Sequence, residues 1–390
     1  MNYEQPIDVM ALDAEYNLVA IVVYNKLQWN RKCLEAGIFS IELTIEQYDN
    51  SWQYIYSPQR RELGRISQVN LSINKGTTIV TVSGRFIEEE LDKMVVYPKP
   101  TNEYSPSKPH TSIVNGPQWL SQDGTADEVA LAFFRAFKTI TYMGYDVEDT
   151  EGQTLKERTY ALDILEGTVD TDHGEYHESS HNRNGEYLGH KISKILKFSH
   201  AYFQVNYNRD TNEKTFDIVH GRDLTSGNTE GNNPVVFSSQ NGTIVKANIV
   251  KSDTETKDIG VSIQETYVDG DDTEVIVLVN GKNDATGRFL KVDGVAMLSD
   301  YPDDHDFRLA TLKDIANYLN DTEDKLNLSF DVFDGSYNYV EDFDLGDVVS
   351  VVIPEIGIDA DVQIVGCYET TQNGVWSLNL EFGTPLKNRR

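Results

Sequence analysis

Apolar and polar positions alternate in short runs over the first hundred residues. "NLVAIVVYN" (17–25), "FSIELTI" (39–45), "ELGRISQVNLSI" (62–73) and "TTIVTVSGRFI" (77–87) are rich in β-branched residues and are separated by turn signals such as Asn74-Lys75-Gly76. Short β-branched runs between turn signals predict strands. The pattern stops at "YPKPTNEYSPSKPHTSIVNGP" (97–117), where five prolines fall within twenty-one residues and few positions are apolar. That segment reads as an extended loop and marks a first boundary.

The period changes to that of a helix in "TADEVALAFFRAFKTI" (125–140). Thr125 and Glu128 have capping-box spacing, and Val129, Phe133, Ala136, Phe137 and Ile140 fall on one face. The stripe Leu188, Ile192, Ile195, Leu196 and Phe198 predicts a second helix in "GEYLGHKISKILKF" (185–198). It leads into "YFQVNYNRDTNEKTFDIVHGRD" (202–223), two alternating runs around a polar turn, which predict a β-hairpin. After the Gly/Asn-rich "LTSGNTEGNNP" (224–234), strand-like runs resume from "PVVFS" to "WSLNLEF" (376–382). One helix interrupts them near 309–326, with Leu312, Ile315, Ala316 and Leu319 inward.

The fold class is therefore mainly β with α+β insertions, and no solenoid period is present. The expected domains are an N-terminal β domain at 1–98, a loop or linker at 99–119, a helix-plus-hairpin α+β domain at 120–225, and a C-terminal β domain at 232–390 holding the inserted helix.

Composition narrows the partners. The net charge of −29 repels phosphate backbones and anionic lipid surfaces, which argues against nucleic-acid or membrane binding by charge. Cys33 and Cys367, far apart in sequence, do not make a secreted-type disulfide framework and read as free thiols. The N-terminus has no signal-peptide pattern, and the longest apolar run, Leu18 to Tyr24, is far short of a membrane span.

One motif invites a catalytic reading. His177-Glu178-Ser179-Ser180-His181 matches HExxH, in which two His one helical turn apart hold zinc and the Glu acts as general base. The flanks are polar and punctuated by Gly174 and Gly185, so no apolar stripe would seat such a helix. A metzincin extension would need Gly at 184 and His at 187, where the chain has Asn184 and Tyr187. The run His173, His177, His181 is read as a solvated polar loop. The acidic stretches "VDGDDTE" and "DYPDDHD" lack EF-hand spacing, and there is no G-x-S-x-G elbow, P-loop or C-x-x-C pair. No catalytic, cofactor-binding or metal residue is nominated, no cofactor is expected, and the chain is read as a non-enzyme. A metal-dependent peptidase and a wall-recognising carbohydrate-binding module stand as alternatives.

A resemblance covers most of the chain. Trp29, Arg31, Glu35, Gly37 and Phe39, then Ser83, Gly84, Arg85 and Leu91, follow the opening of the siphophage tail-hub or tail-tip family. Gly221, Arg222 and Asp223 close a strand as in that family, and Leu345, Gly346 and Asp347 match its C-terminal turn. The region 100–185 matches least. The resemblance implies a baseplate or tail-tip hub with β-barrel-like domains, assembled as a homotrimer. Its implied partners are the distal tail protein, the tape-measure protein and tip or fibre proteins, with DNA met only in passage through the lumen, no direct membrane binding, and location in the virion after synthesis in the host cytoplasm. From the residues themselves, Gly346 suits a turn needing positive φ, Asp347 can accept backbone N–H groups there, and Arg85 can reach carboxylates or carbonyls at a domain seam.

Overall fold

The computed structural model describes residues 7–74, 77–96, 112–115, 121–144, 156–167, 176–181, 186–197, 199–252, 257–267, 273–281, 287–292, 304–320, 325–333 and 335–383. Two compact units are present: residues 1–247 with 329–390, and the intervening 248–328. Much of the proline-rich 99–119 segment and most of both acidic stretches lie outside the described residues.

In the larger unit the alternating N-terminal runs become antiparallel strands. Lys26–Lys32 pairs with Ile38–Thr44, which pairs with Thr77–Phe86, which pairs with Leu63–Asn74. Inward positions of these strands carry Leu27, Trp29, Phe39, Ile41, Val80 and Val82, all buried. Trp29 packs on Phe86 with ring centroids 4.8 Å apart, so the aromatic positions of the opening motif are core residues.

The sheet does not stop at the N-terminal segment. Lys26–Lys32 also pairs along its other edge with Ile358–Gln372, from Gly366 opposite Lys32 to Gln372 opposite Lys26. That fifteen-residue strand pairs its later part with Val375–Phe382 and its first part with Val348–Ile353. Val348–Ile353 in turn aligns parallel with Asp223–Leu224 and Val236–Ser238. The two ends of the sequence thus share one sheet.

Against it lies a helical layer. Helix α1 (Ala126–Phe137) begins at the expected capping box: Thr125 Oγ1 accepts the Glu128 N–H at 3.2 Å, and Glu128 Oε2 accepts the Thr125 N–H at 2.9 Å. More of α1 is buried than the one predicted face, because Ala130, Leu131 and Phe134 are covered as well as Val129, Phe133 and Phe137. Helix α2 (Leu188–Lys197) buries Leu188, Ile192, Ile195 and Leu196; Phe198 lies outside the described residues. The hairpin is Ala201–Asn208 with Glu213–His220, and Phe216 stacks on Phe134 at 4.3 Å. This core also takes in Leu12 and Leu63 of the N-terminal strands.

The smaller unit is a hairpin, Ile259–Tyr267 with Thr273–Gly281, flanked by Phe289–Lys291 and covered on one face by helix α3 (Asp304–Asn320). Ile276, Leu278, Phe307, Ile315 and Leu319 form its core. The helix expected near 309–326 is therefore displaced. Its stripe starts at Phe307, and the residues from Lys325 alternate as Leu326, Leu328, Phe330 and Val332, a period of two that makes them a strand.

The capping box gives a direct test. Thr125→Ala removes the acceptor at the first turn of α1, and urea unfolding should show a loss of about 1 kcal/mol.

Candidate functional site

Charged residues converge on the seam between the two ends of the chain. On Lys26–Lys32 the buried face carries Leu27, Trp29 and then Arg31, which is 7% exposed. A guanidinium on an apolar face must be paired to be tolerated. Arg31 Nε donates to Glu62 Oε1 at 2.5 Å, and Nη1 donates to Asp344 Oδ1 at 2.5 Å and to the Tyr339 hydroxyl at 2.9 Å. Trp29 Nε1 donates to the second Glu62 oxygen at 3.2 Å. Burial alone would lower the Arg31 pKa; attraction to Glu62, Tyr339 and Asp344 outweighs it and holds the group well above its ordinary value.

Two further arginines repeat the theme. Arg60 grips Glu369 through Nε at 2.8 Å and Nη2 at 2.6 Å, and its guanidinium lies 5.0 Å from the Tyr339 ring centre. Glu369 is fully buried and also accepts the Trp376 indole N–H at 3.0 Å. Arg222 donates to Asp347 Oδ2 through Nη2 at 2.6 Å, while its backbone N–H donates to Asp347 Oδ1 at 2.7 Å. Bidentate pairs of this kind fix geometry as well as charge.

The C-terminal turn makes these contacts possible. Gly346 has φ +91, the left-handed region expected for it, and a Cβ there would lie 2.5 Å from Tyr202 Cε1. Gly221 lies so close beneath it that a Cβ would meet the Gly346 carbonyl oxygen at 1.8 Å. Asp347 accepts backbone N–H groups from Arg222 and, at 2.8 Å, from Asp344, as the turn chemistry predicts. Gln363 Nε2 donates to the Gly346 carbonyl at 3.1 Å and closes the turn onto the long strand.

Arg85 takes no part in the seam. It reaches Glu89 at 3.6 Å, an exposed pair one turn along, so the seam guanidiniums are Arg31, Arg60 and Arg222 instead. Glu62, Asp344, Arg60, Glu369 and Tyr339 were not singled out by sequence reasoning. The available signal was a charge at a buried parity, Arg31 after Leu27 and Trp29, or Glu369 between Cys367 and Thr371.

Beside these groups opens a cleft of about 330 Å³ lined by Arg31, Glu62, Glu88, Tyr202, His220 and Asp347 among others. His220 Nε2 lies 2.7 Å from Oδ2 of the fully buried Asp127. Cys33 and Cys367 are both buried free thiols, and burial pushes both pKa values up, away from the reactive thiolate. The arrangement is suited to fastening segments together: its arginines are committed to carboxylates.

HESSH is neither a helix nor the expected loop. Tyr176–His181 is a strand, antiparallel to Ser121–Thr125 with His181 opposite Ser121 and His177 opposite Gly124. Backbone pairing across the bulge at Gln122/Gly124 accounts for the extended form of so polar a segment. At about 3.3 Å per residue, four residues along a strand separate the two His positions by roughly 13 Å, whereas a zinc pair needs one helical turn. His173 lies outside the described residues. Among the described residues, no group of three His, Cys, Asp or Glu is placed to hold a metal ion.

Two substitutions probe the seam by urea unfolding. Arg31→Met strands Glu62 and Asp344 and should cost about 3–5 kcal/mol, and adding Glu62→Gln should recover part of that loss. Gly346→Ala should cost about 2 kcal/mol or more, from the φ requirement and the Tyr202 clash together.

The family model of the siphovirus ReqiPepy6 Gp37-like proteins matches residues 8–120 and 178–384. Among solved structures, the chain is similar to a tail protein from Neisseria meningitidis MC58, at 12% identity over 96% of each chain with a TM-score of 0.55. It is also similar to the 43 kDa tail protein of prophage MuSo2 from Shewanella oneidensis, at 13% identity over 98% of this chain and 99% of that one, with a TM-score of 0.57. Identities this low speak for the fold. No curated protein matches the chain in sequence. With the family pattern covering both the Arg31 strand and the Asp347 turn, the chain belongs to the siphovirus ReqiPepy6 Gp37-like protein family.

Proposed function

We propose that the protein is the structural hub of a phage or prophage tail tip, a homotrimer joining the tail tube and distal tail protein to the tip, and that it has no catalytic role of its own. The observation carrying this reading is the union of the two ends of the chain in one sheet, locked by buried ion pairs between residues 309 and 313 positions apart. A part that transmits force between a tube above and a tip below needs such closure. The tape-measure protein and the tip or fibre proteins are further partners, met in the virion. The acidity then serves solubility and a lumen wall to which passing DNA does not stick.

Native mass spectrometry of the purified chain tests the reading, because one spectrum reports both subunit number and bound metal. A zinc-free trimer is expected. A monomer holding one zinc per chain would favour the peptidase alternative instead. The double variant His177→Ala, Glu178→Ala should give the same spectrum as the parent and the same capture by the distal tail protein.

A further inference from the structure

One carboxylate on the seam cavity is left out of the pairing. Glu88 sits in the 3₁₀ turn Ile87–Lys93, which follows the strand Thr77–Phe86. Its Oε1 accepts the Val205 N–H at 3.2 Å, from the middle of the strand Ala201–Asn208. Its Oε2 is closed off from solvent and finds no hydrogen-bond partner among the described residues.

The surrounding cations are already engaged. Arg31 is held by Glu62 and Asp344, Arg60 by Glu369, and Arg222 by Asp347. Arg61, at the cavity rim, is exposed. His220 is bonded to Asp127, and Tyr202 donates to the Leu345 carbonyl at 3.1 Å. On its own turn, Glu89 pairs with Arg85, Glu90 with Lys93, and Asp92 lies against Gly189 of α2. Of the neighbouring charges, Glu62 is of like sign and opposes ionisation of Glu88, which Arg31 favours by less.

We propose that Glu88 is a proton-sensitive fastener: protonated, it holds the strand Ala201–Asn208 against the turn Ile87–Lys93, and ionised, it lets the strand part from it. An ionised carboxylate with one oxygen buried and unpartnered is costly, whereas the acid keeps its bond to Val205 and removes the charge. Burial accordingly pushes Glu88 from the ordinary 4.5 to about 7, against the pull of its own and the Val205 N–H groups. Below pH 4.5 both the closed and the opened forms are protonated, and the contact is at full strength. As pH rises from 4.5 to about 7 the opened form ionises first, so the closed form loses ground, and above that the loss is constant.

Native-state hydrogen exchange at the Val205 amide of the full chain, corrected for the intrinsic rate at each pH, reads the opening directly. Between pH 5 and pH 8 the opening constant should rise at least about tenfold, with a limiting slope of about tenfold per pH unit. In Glu88→Gln, which keeps the shape and an acceptor for Val205, it should stay flat. His220 is the imidazole lining the same cavity, and His220→Gln should retain the wild-type rise. A flat wild-type profile, an undiminished rise in Glu88→Gln, or a rise abolished by His220→Gln would each overturn the proposal.

Discussion

The interaction on which the structure depends is the buried guanidinium of Arg31, held between Glu62 and Asp344. A charge at a buried position of an apolar strand is tolerable only when its partners arrive with it. One partner comes from the same N-terminal segment, and the other comes from 313 residues later. The seam cannot be satisfied by either segment alone. Asp344 is brought in by a turn that needs Gly346 left-handed and Asp347 accepting two backbone N–H groups, and the turn is fastened by Gln363 to the strand that pairs with Arg31's own. Backbone register and ion pairing therefore enforce the same closure.

That closure explains why the chemistry of the seam is structural. Arginines placed for bidentate contact are also what a phosphate or carboxylate site would use, but Arg31, Arg60 and Arg222 are committed to carboxylates of the same chain. The thiols are buried and protonated, and the HExxH string is extended backbone paired across a two-stranded sheet. A sequence motif for metal chemistry carries information only in the secondary structure that aligns its ligands, and here that structure is absent.

Local signals were legible where a short stretch suffices to set the backbone. The capping box at Thr125, the stripe of α2, the alternating hairpin at Ala201–His220 and the left-handed Gly346 each depend on neighbours within a few residues. Signals failed where the deciding contact was distant. The start of α3 slipped because Phe307 is defined as core only by the sheet it packs on. α1 is buried beyond its predicted stripe because the hairpin supplies Phe216 against Phe134. Tyr176–His181 became a strand because Ser121–Thr125 offered an edge to a segment with no apolar pattern of its own.

By itself, the sequence determined those strands and helices that carry their own apolar period, where the special turn must fall, and a family resemblance spread over most of the length, because these rest on periodicity and on residue chemistry read locally. Only the tertiary structure decided what the charged residues do. Whether Arg31, Arg60 and Glu369 are surface charges or buried partners depends on the strand Ile358–Gln372 lying beside Lys26–Lys32, a pairing between the two ends of the chain that local pattern does not encode. Arg85 and Arg222 are similarly exposed, and what tells them apart is the partner each meets: Glu89 one turn along for Arg85, and Asp347 from 125 residues later for Arg222.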